Sequence, residues 1–334
     1  MAFQDYSLIQ APMAGGLSTA DVVAGASRAG ALGSVGAGYL SGDAIMAAAE
    51  GVRAAGGDAF AINLFIPAER DATDAEWRAA LKALSPCYRQ AGVPVPDDFP
   101  PLPDFREQFE AMLEARPAVF SWTFGRLPKS MMAACRARGI ALVGTATHRD
   151  EALALAGDGV DGIVLQGEEA GGHRGGADPQ GEGQPLDGLL SACRDIATPL
   201  IAAGGLMDGA DVARVMAAGA ATGQLGTAFL RCPEAGTAEG WRQALANAGP
   251  DATAVTRAVS GRWARGIANA WMDGRAPTEV APYPDQHRLT SPLRKAGGVE
   301  WKSLWAGTGA HRSRALPVEE LVRVIEEERR AAGR

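Results

Sequence analysis

Long apolar runs are missing from this chain. None approaches the ~20 residues that a membrane-spanning helix needs, so no transmembrane anchor is expected. The opening stretch, MAFQDYSLIQ, has no basic region followed by an apolar core, so no secretory leader is read there. Cysteine is scarce: the 4 in the chain, Cys87, Cys135, Cys193 and Cys232, lie far apart and form no CxxC pair. That spacing excludes a zinc ribbon or a disulfide frame and reads as reduced, mostly buried thiols of a cytoplasmic protein. Histidine is equally scarce at 4 residues, and no HExxH or other metal spacing and no GxSxG elbow occurs. Like charges form no block beyond Glu326-Glu327-Glu328 and Arg329-Arg330, and the net charge is −7, which speaks against a nucleic-acid partner.

What the chain does have is apolar bulk and glycine. Hydrophobic residues make up 47% of its 334 residues and charged ones 21%, enough to bury a sizeable core. Its 43 glycines cluster just after apolar runs, where the functional loops of α/β folds sit. Strand candidates are Leu8 to Gln10, Ala31 to Val35, Phe60 to Phe65, Pro117 to Trp122, Ile140 to Val143, the Ile163-Val164-Leu165 run, Pro199 to Ala203 and Thr222 to Leu225. Helical stretches separate them, the first capped by Ser18. Eight βα units in ~230 residues predict a parallel (β/α)8 TIM barrel rather than an open doubly wound sheet. One helix is still owed after the eighth strand, and LPVEELVRVIEEERR (Leu316 to Arg330) has the apolar spacing to supply it. The expected organisation is therefore a barrel over residues 1–231, a mainly helical insertion without clear strands over 232–314, roofing the barrel's C-terminal rim, and a completing helix over 315–334.

Barrels of this kind place their ligands at the C-terminal ends of the strands, with phosphate often held after strands seven and eight. Gly204-Gly205 and Gln224-Leu225-Gly226-Thr227 follow those two strands and suit a phosphate monoester through backbone amides and the Thr227 hydroxyl. Gln10, Asn63 and Gln166 stand at other strand ends and suit the edge of a flat heterocycle, with Met13 and Gly15-Gly16 packing on one face. GAGYLS (Gly36 to Ser41) lacks the third glycine of a dinucleotide fingerprint, so one phosphate site fits FMN better than FAD. The stretch DGIVLQGEEAGGHRGG (Asp161 to Gly176) sets His173 between glycines in a strand-end loop, the natural place for a proton-transfer group. His148 could line the same rim or merely start a helix, while His287 and His311 read as surface groups. Arg126, Lys129, Arg174 and Arg294 could attract an anion.

The motifs QAPMAGG, GSVGAGYLS, FAINLFIP, FSWTFG, GTAT, QGEEAGGHRGG, IAAGGLMDG, QLGTAFL, GRWARG and APYPDQHRLTSPLR cover nearly the whole length. Together they resemble the bacterial class I nitronate monooxygenases, formerly 2-nitropropane dioxygenases, which are FMN-dependent TIM barrels. The resemblance implies that Asn63, Gln166, Gly171, Gly205 and Gln224 to Thr227 contact FMN, that His173 is the catalytic base, and that Tyr283 shapes the substrate pocket. It implies oxidation of an alkyl nitronate such as propionate 3-nitronate by O2 to a carbonyl compound and nitrite, and it leaves a homodimer possible. Two other readings stay open: an NAD(P)H-dependent quinone or enoyl reductase on the same barrel, and a non-catalytic barrel that binds a phosphorylated ligand.

Overall fold

The computed structural model describes residues 5–68, 70–179 and 181–333; Met1 to Gln4, within the stretch read for a leader, lie outside the described residues. The strands are β1 (Leu8–Gln10), β2 (Gly33–Gly36), β3 (Phe60–Phe65), β4 (Val119–Thr123), β5 (Ala141–Ala146), β6 (Gly162–Gln166), a two-residue β7 (Gly172–His173), β8 (Leu200–Ala203), β9 (Thr222–Leu225), β10 (Thr253–Thr256) and β11 (Ala264–Ile267). The helices are α1 (Ala20–Arg28), α2 (Gly42–Ala54), α3 (Asp74–Ala91), α4 (Phe105–Ala115), α5 (Lys129–Arg136), α6 (Arg149–Asp158), α7 (Leu186–Cys193), α8 (Gly209–Ala217), α9 (Glu239–Ala246), α10 (Asp285–Ala296) and α11 (Val318–Ala332).

Eight strands run parallel in the order β1-β9-β8-β6-β5-β4-β3-β2. The two ends meet through a parallel bridge between Ile9 and Leu32, with Gln10 N donating to Leu32 O at 2.9 Å and Leu32 N to Leu8 O at 3.0 Å. The sheet is closed, and the fold is the expected (β/α)8 barrel. Side chains alternate across it with period two. Ile9, Leu32, Ala61, Val119, Val143, Val164 and Ile201 fill the barrel. Phe60, Ile62, Phe120, Ile163, Leu165 and Leu225 face outward into the layer packed against the helices. The same alternation turns Asn63, Gln166 and Gln224, one position away from outward residues, toward the barrel mouth.

Local sequence fixes the helix starts. Thr73 and Glu76 form a reciprocal capping box on α3. Thr19, not Ser18, caps α1 by accepting from Val22 N. Ser18 instead accepts from Met13 N and Gln10 Nε2, each at 3.0 Å, and closes the loop after β1. α11 packs against α8 and α1, and its Val318, Leu321, Val322 and Ile325 are buried.

The stretch between β9 and α11 departs from the sequence expectation. Besides α9 and α10 it holds the antiparallel pair β10–β11, and β11 also pairs with β7, setting Ala264 opposite His173. Four-residue strands are too short to show an alternation, and β7 exists only because β11 supplies its partner. This segment joins α3 in a second core, with Leu84, Tyr88, Leu289, Trp271 and Trp301 buried together. The two tryptophans meet edge to face at 5.2 Å. No helix of the described residues is long and apolar enough to cross a membrane.

Candidate active site

A cavity of about 1260 Å³ opens at the C-terminal ends of the barrel strands. Its wall includes Met13, Gly15, Asn63, Gln166, Gly171, His173, Gly204, Gly205, Gln224, Gly226 and Thr227, so the ends of five barrel strands, β1, β3, β6, β8 and β9, converge there. Gly16 is not among the lining residues, and neither is Leu225. Leu225 points outward into the helix layer, because alternation puts it one residue out of phase with Gln224. His148 and Arg126 also lie elsewhere; Arg126 is paired on the surface with Asp158. Arg174 lies over the Trp263 ring and donates to Gly181 O at 2.9 Å.

Two of the amides read as ligand contacts bond to the protein itself, and of the two only Gln166 also lines the cavity. Gln10 is fully buried; its Oε1 accepts from Ser34 N at 2.9 Å and its Nε2 donates to Ala11 O and Ser18 Oγ. Gln166 accepts from Gly175 N at 2.7 Å and donates to His173 O at 3.1 Å, so it ties both ends of the histidine loop to the barrel. Asn63 donates to Ser121 Oγ at 2.9 Å and keeps its carbonyl oxygen for the cavity.

The β8 and β9 ends form a glycine-lined hollow with free hydrogen-bond donors. Gly204 and Gly205 take φ of +121° and +71°, a turn that side-chain-bearing residues rarely adopt. The amides of Gly205 and Gly226 donate to no other described residue. Thr227 Oγ1 accepts from Gly307 N at 2.9 Å, which leaves its own hydrogen to donate. Gly307 belongs to the Trp305–Gly309 turn, a part of the site that the sequence reading missed. A Cβ on Gly307 would fall 2.5 Å from Glu169 O, so only glycine lets this turn approach the loop after β6. The Gly-Thr-Gly run at 307–309 was its only signal.

His173 sits in a box of rings. Phe124, Tyr283, Trp305 and Phe65 lie 5.8, 5.9, 5.8 and 6.4 Å away between centroids. Its Nε2 is 2.8 Å from Ser260 Oγ, which lies 3.3 Å from Arg262 O and 3.4 Å from Arg262 N. One assignment satisfies all three contacts: Nε2–H donates to Ser260, Ser260 donates to the Arg262 carbonyl, and Nδ1 remains the ring's acceptor. His173 is half-buried and lines the cavity. Burial, helped by the cations Arg262 and Arg294, pushes His173 down to about 3, so it is neutral across the physiological range.

Tyr283 does not line the cavity; it stands behind His173, 5.5 Å from the Phe124 ring. Burial holds its hydroxyl well above the usual tyrosine range and raises Tyr39 to about 12, so both stay protonated. His287 is a clear correction. It is no surface group but lines the cavity, stacked on Tyr39 at 4.3 Å, and burial keeps it neutral. Nothing around His287 in the linear sequence marks it as buried; only the packing of α10 over Tyr39 does. Arg294 also lines the cavity, as do Arg288, Lys295 and Lys302, whereas no aspartate or glutamate of the described residues does. No group of three or more His, Cys, Asp or Glu side chains among the described residues could hold a metal.

A family model described as nitronate monooxygenase matches residues 2–328 of this chain. A nitronate monooxygenase of Paraburkholderia phytofirmans is 38% identical over 97% of this chain and 92% of its own. One from Pseudomonas aeruginosa is 36% identical, covering 97% and 96%. The crystal structure of a nitroalkane oxidase from Streptomyces ansochromogenes superposes with a TM-score of 0.90 at 34% identity, over 98% of this chain and 96% of that one.

Proposed function

The chain belongs to the nitronate monooxygenase family of oxidoreductases acting on nitronates, and from that premise we propose that it oxidises alkyl nitronates by O2 with FMN, giving a carbonyl compound and nitrite. The observation that carries this reading is the pairing, in one cavity, of a glycine-lined anion cradle with a neutral histidine in a wall that has no carboxylate among the described residues.

FMN suits the residues present. Its phosphate would take the amides of Gly205 and Gly226 and the free hydrogen of Thr227 Oγ1, beside Gly204. Its ring edge would meet Asn63 and Gln224, with Met13 on one face and Gly171 at the loop; Gln166 acts at one remove, by fixing that loop. Leu225 contributes only as part of the strand that carries Gln224. When bound, the flavin supplies the electron transfer between nitronate and O2.

The protein's own residues bind and orient. The cavity wall, without a carboxylate among the described residues and with Arg294 and Arg262 near His173, favours an anion over a neutral molecule. The aromatic box excludes water from the reacting carbon. A nitronate has already lost its carbon proton, so His173 need not remove one; its Nδ1 serves as proton acceptor only when a neutral nitroalkane is offered. Tyr283 and Ser260 hold the imidazole in place.

Oxygen uptake and nitrite release with propionate 3-nitronate, together with chromatography of the released chromophore, test this reading. FMN and stoichiometric nitrite are expected. A colourless protein, or one turning over only with NADH, would remove it in favour of the sensor or reductase readings.

A further inference from the structure

The four aromatic rings around His173 differ in what they offer the cavity. Phe65 and Phe124 line it and carry no hydrogen-bond donor, and Tyr283 does not line it. Trp305, half-buried, alone of the four both lines the cavity and carries a donor, its indole N–H. Indoles elsewhere in the fold are tied to backbone: Trp122 Nε1 donates to Gly125 O at 3.1 Å and Trp271 Nε1 to Trp301 O at 2.8 Å. Trp305 Nε1 donates to no described residue and, unlike Trp241 Nε1, is not sealed from solvent. A tryptophan N–H held in a protein wall normally has an acceptor.

The backbone fixes where this indole stands. Trp305 bridges Gly266 of β11, Ile267 N donates to Leu304 O at 2.8 Å, and Thr308 N donates to Glu169 O at 3.0 Å. A Cβ on Gly266 would fall 2.9 Å from Trp305 Cε3, so glycine lets the six-membered ring lie against β11. Nε1 belongs to the opposite edge of the indole. The same turn reaches Thr227 through Gly307 N, so it touches both the hollow at the β8 and β9 ends and the rings around His173. His173, 5.8 Å away between centroids and inclined at 58°, gives Nε2 to Ser260 and keeps only an acceptor, Nδ1. An anion in front of it finds no donor on the histidine.

We propose that Trp305 Nε1–H holds an oxygen of the substrate's nitronate group, and of the product nitrite, beside His173. The proposal rests on the nitronate reading of the cavity and names the donor that the reacting group's oxygens meet. A nitronate carries its negative charge on the two oxygens bound to nitrogen, and so does nitrite. Hydrogen bonds to such charged acceptors are the stronger kind. A donor that meets the same charge in substrate and product binds both alike, so it acts on KM more than on kcat.

Trp305→Phe tests this, because it keeps a ring against Gly266 and His173 and removes the N–H. KM for ethyl nitronate should rise about ten- to a hundredfold with little change in kcat, and the inhibition constant of nitrite should rise by the same factor. Trp305→His, which returns a ring N–H, should recover part of both. FMN affinity and the urea midpoint should stay as in the unaltered protein. Unchanged KM and nitrite inhibition would overturn the proposal, as would a loss of FMN affinity that accounts for the lost rate. Titrating the 15N-labelled, flavin-loaded protein with nitrate, an inert oxyanion of nitrogen, reads the contact without turnover. The indole resonance missing from Trp305→Phe should move downfield, and an unresponsive one overturns the proposal. If the unaltered protein oxidises no nitronate yet that resonance still responds, the nitronate reading fails while the oxyanion contact at Trp305 stands.

Discussion

The position of His173 makes a quantitative claim about substrate form. Its pKa of about 3 lies some four units below the range in which an imidazole is an efficient base near neutral pH. At about 1.4 kcal/mol per unit, taking a proton from carbon is several kcal/mol harder than for an unperturbed histidine, less what an anion forming beside the ring returns. The protein should therefore prefer a preformed nitronate to the parent nitroalkane by at least about a hundredfold in kcat/KM. His173→Asn keeps a polar side chain near Ser260 but removes the base. It should lower turnover of neutral nitroalkanes by a further factor of about 10² to 10⁴, the usual worth of a positioned base, and lower nitronate turnover by less than about tenfold. Initial rates of oxygen uptake on nitroethane and on pre-ionised ethyl nitronate, measured quickly enough that the two do not interconvert, separate the cases. Equal loss on both forms would show that His173 serves binding or structure. A wild type indifferent to the form would show that burial does not weaken the base as described.

Other consequences follow from particular contacts. Thr227→Val removes the hydroxyl that faces the anion cradle and should weaken FMN binding by about tenfold, read as recovery of flavin fluorescence on dilution. Ser260→Ala leaves His173 Nε2 without its partner and should cost about 1–3 kcal/mol of stability in urea unfolding, along with part of the rate. Trp271→Ala opens a hole in the second core beside Trp301 and should destabilise that region by about 3–5 kcal/mol, with earlier loss of flavin on heating. His173 and His287 are both held neutral when folded, whereas the unfolded imidazoles titrate near 6.5, so the unfolded chain binds protons first on acidification. Stability is then full above about pH 6.5 and falls below it as both rings protonate first in the unfolded chain, for His173 down toward about 3 and by up to about 1.4 kcal/mol per unit. Melting temperatures at pH 7.5 and 5.0 check this, and the difference should shrink in His173→Asn.

Apolar runs separated by helical stretches made the barrel legible, most of them ending in glycine or an amide where a strand meets its loop, and period-two alternation then decides which side chains face inward. The same alternation, applied one residue further, would have placed Leu225 outside the site. Gln10 and Gln166 show the limit of reading polar residues singly: an amide at a strand end is as ready to tie a loop as to touch a ligand, and their backbone partners at Ser34 and Gly175 decide which. Long-range pairing was out of reach for the same reason. β7 and β11 are 2 and 4 residues long, so neither carries a period, yet together they fix the backbone of His173. His287 and Arg294 belong to a helix whose cavity face is set by its docking on Tyr39, a contact 248 positions away in sequence for His287 (287 − 39).

The central claim is that the cavity holds a flavin reduced by nitronates. The direct measurement is the absorbance spectrum of the purified protein, mixed anaerobically with propionate 3-nitronate and, separately, with NADH. Bleaching of a flavin band by the nitronate and not by NADH is the predicted result. Bleaching by NADH alone, or no flavin band at all, would contradict it.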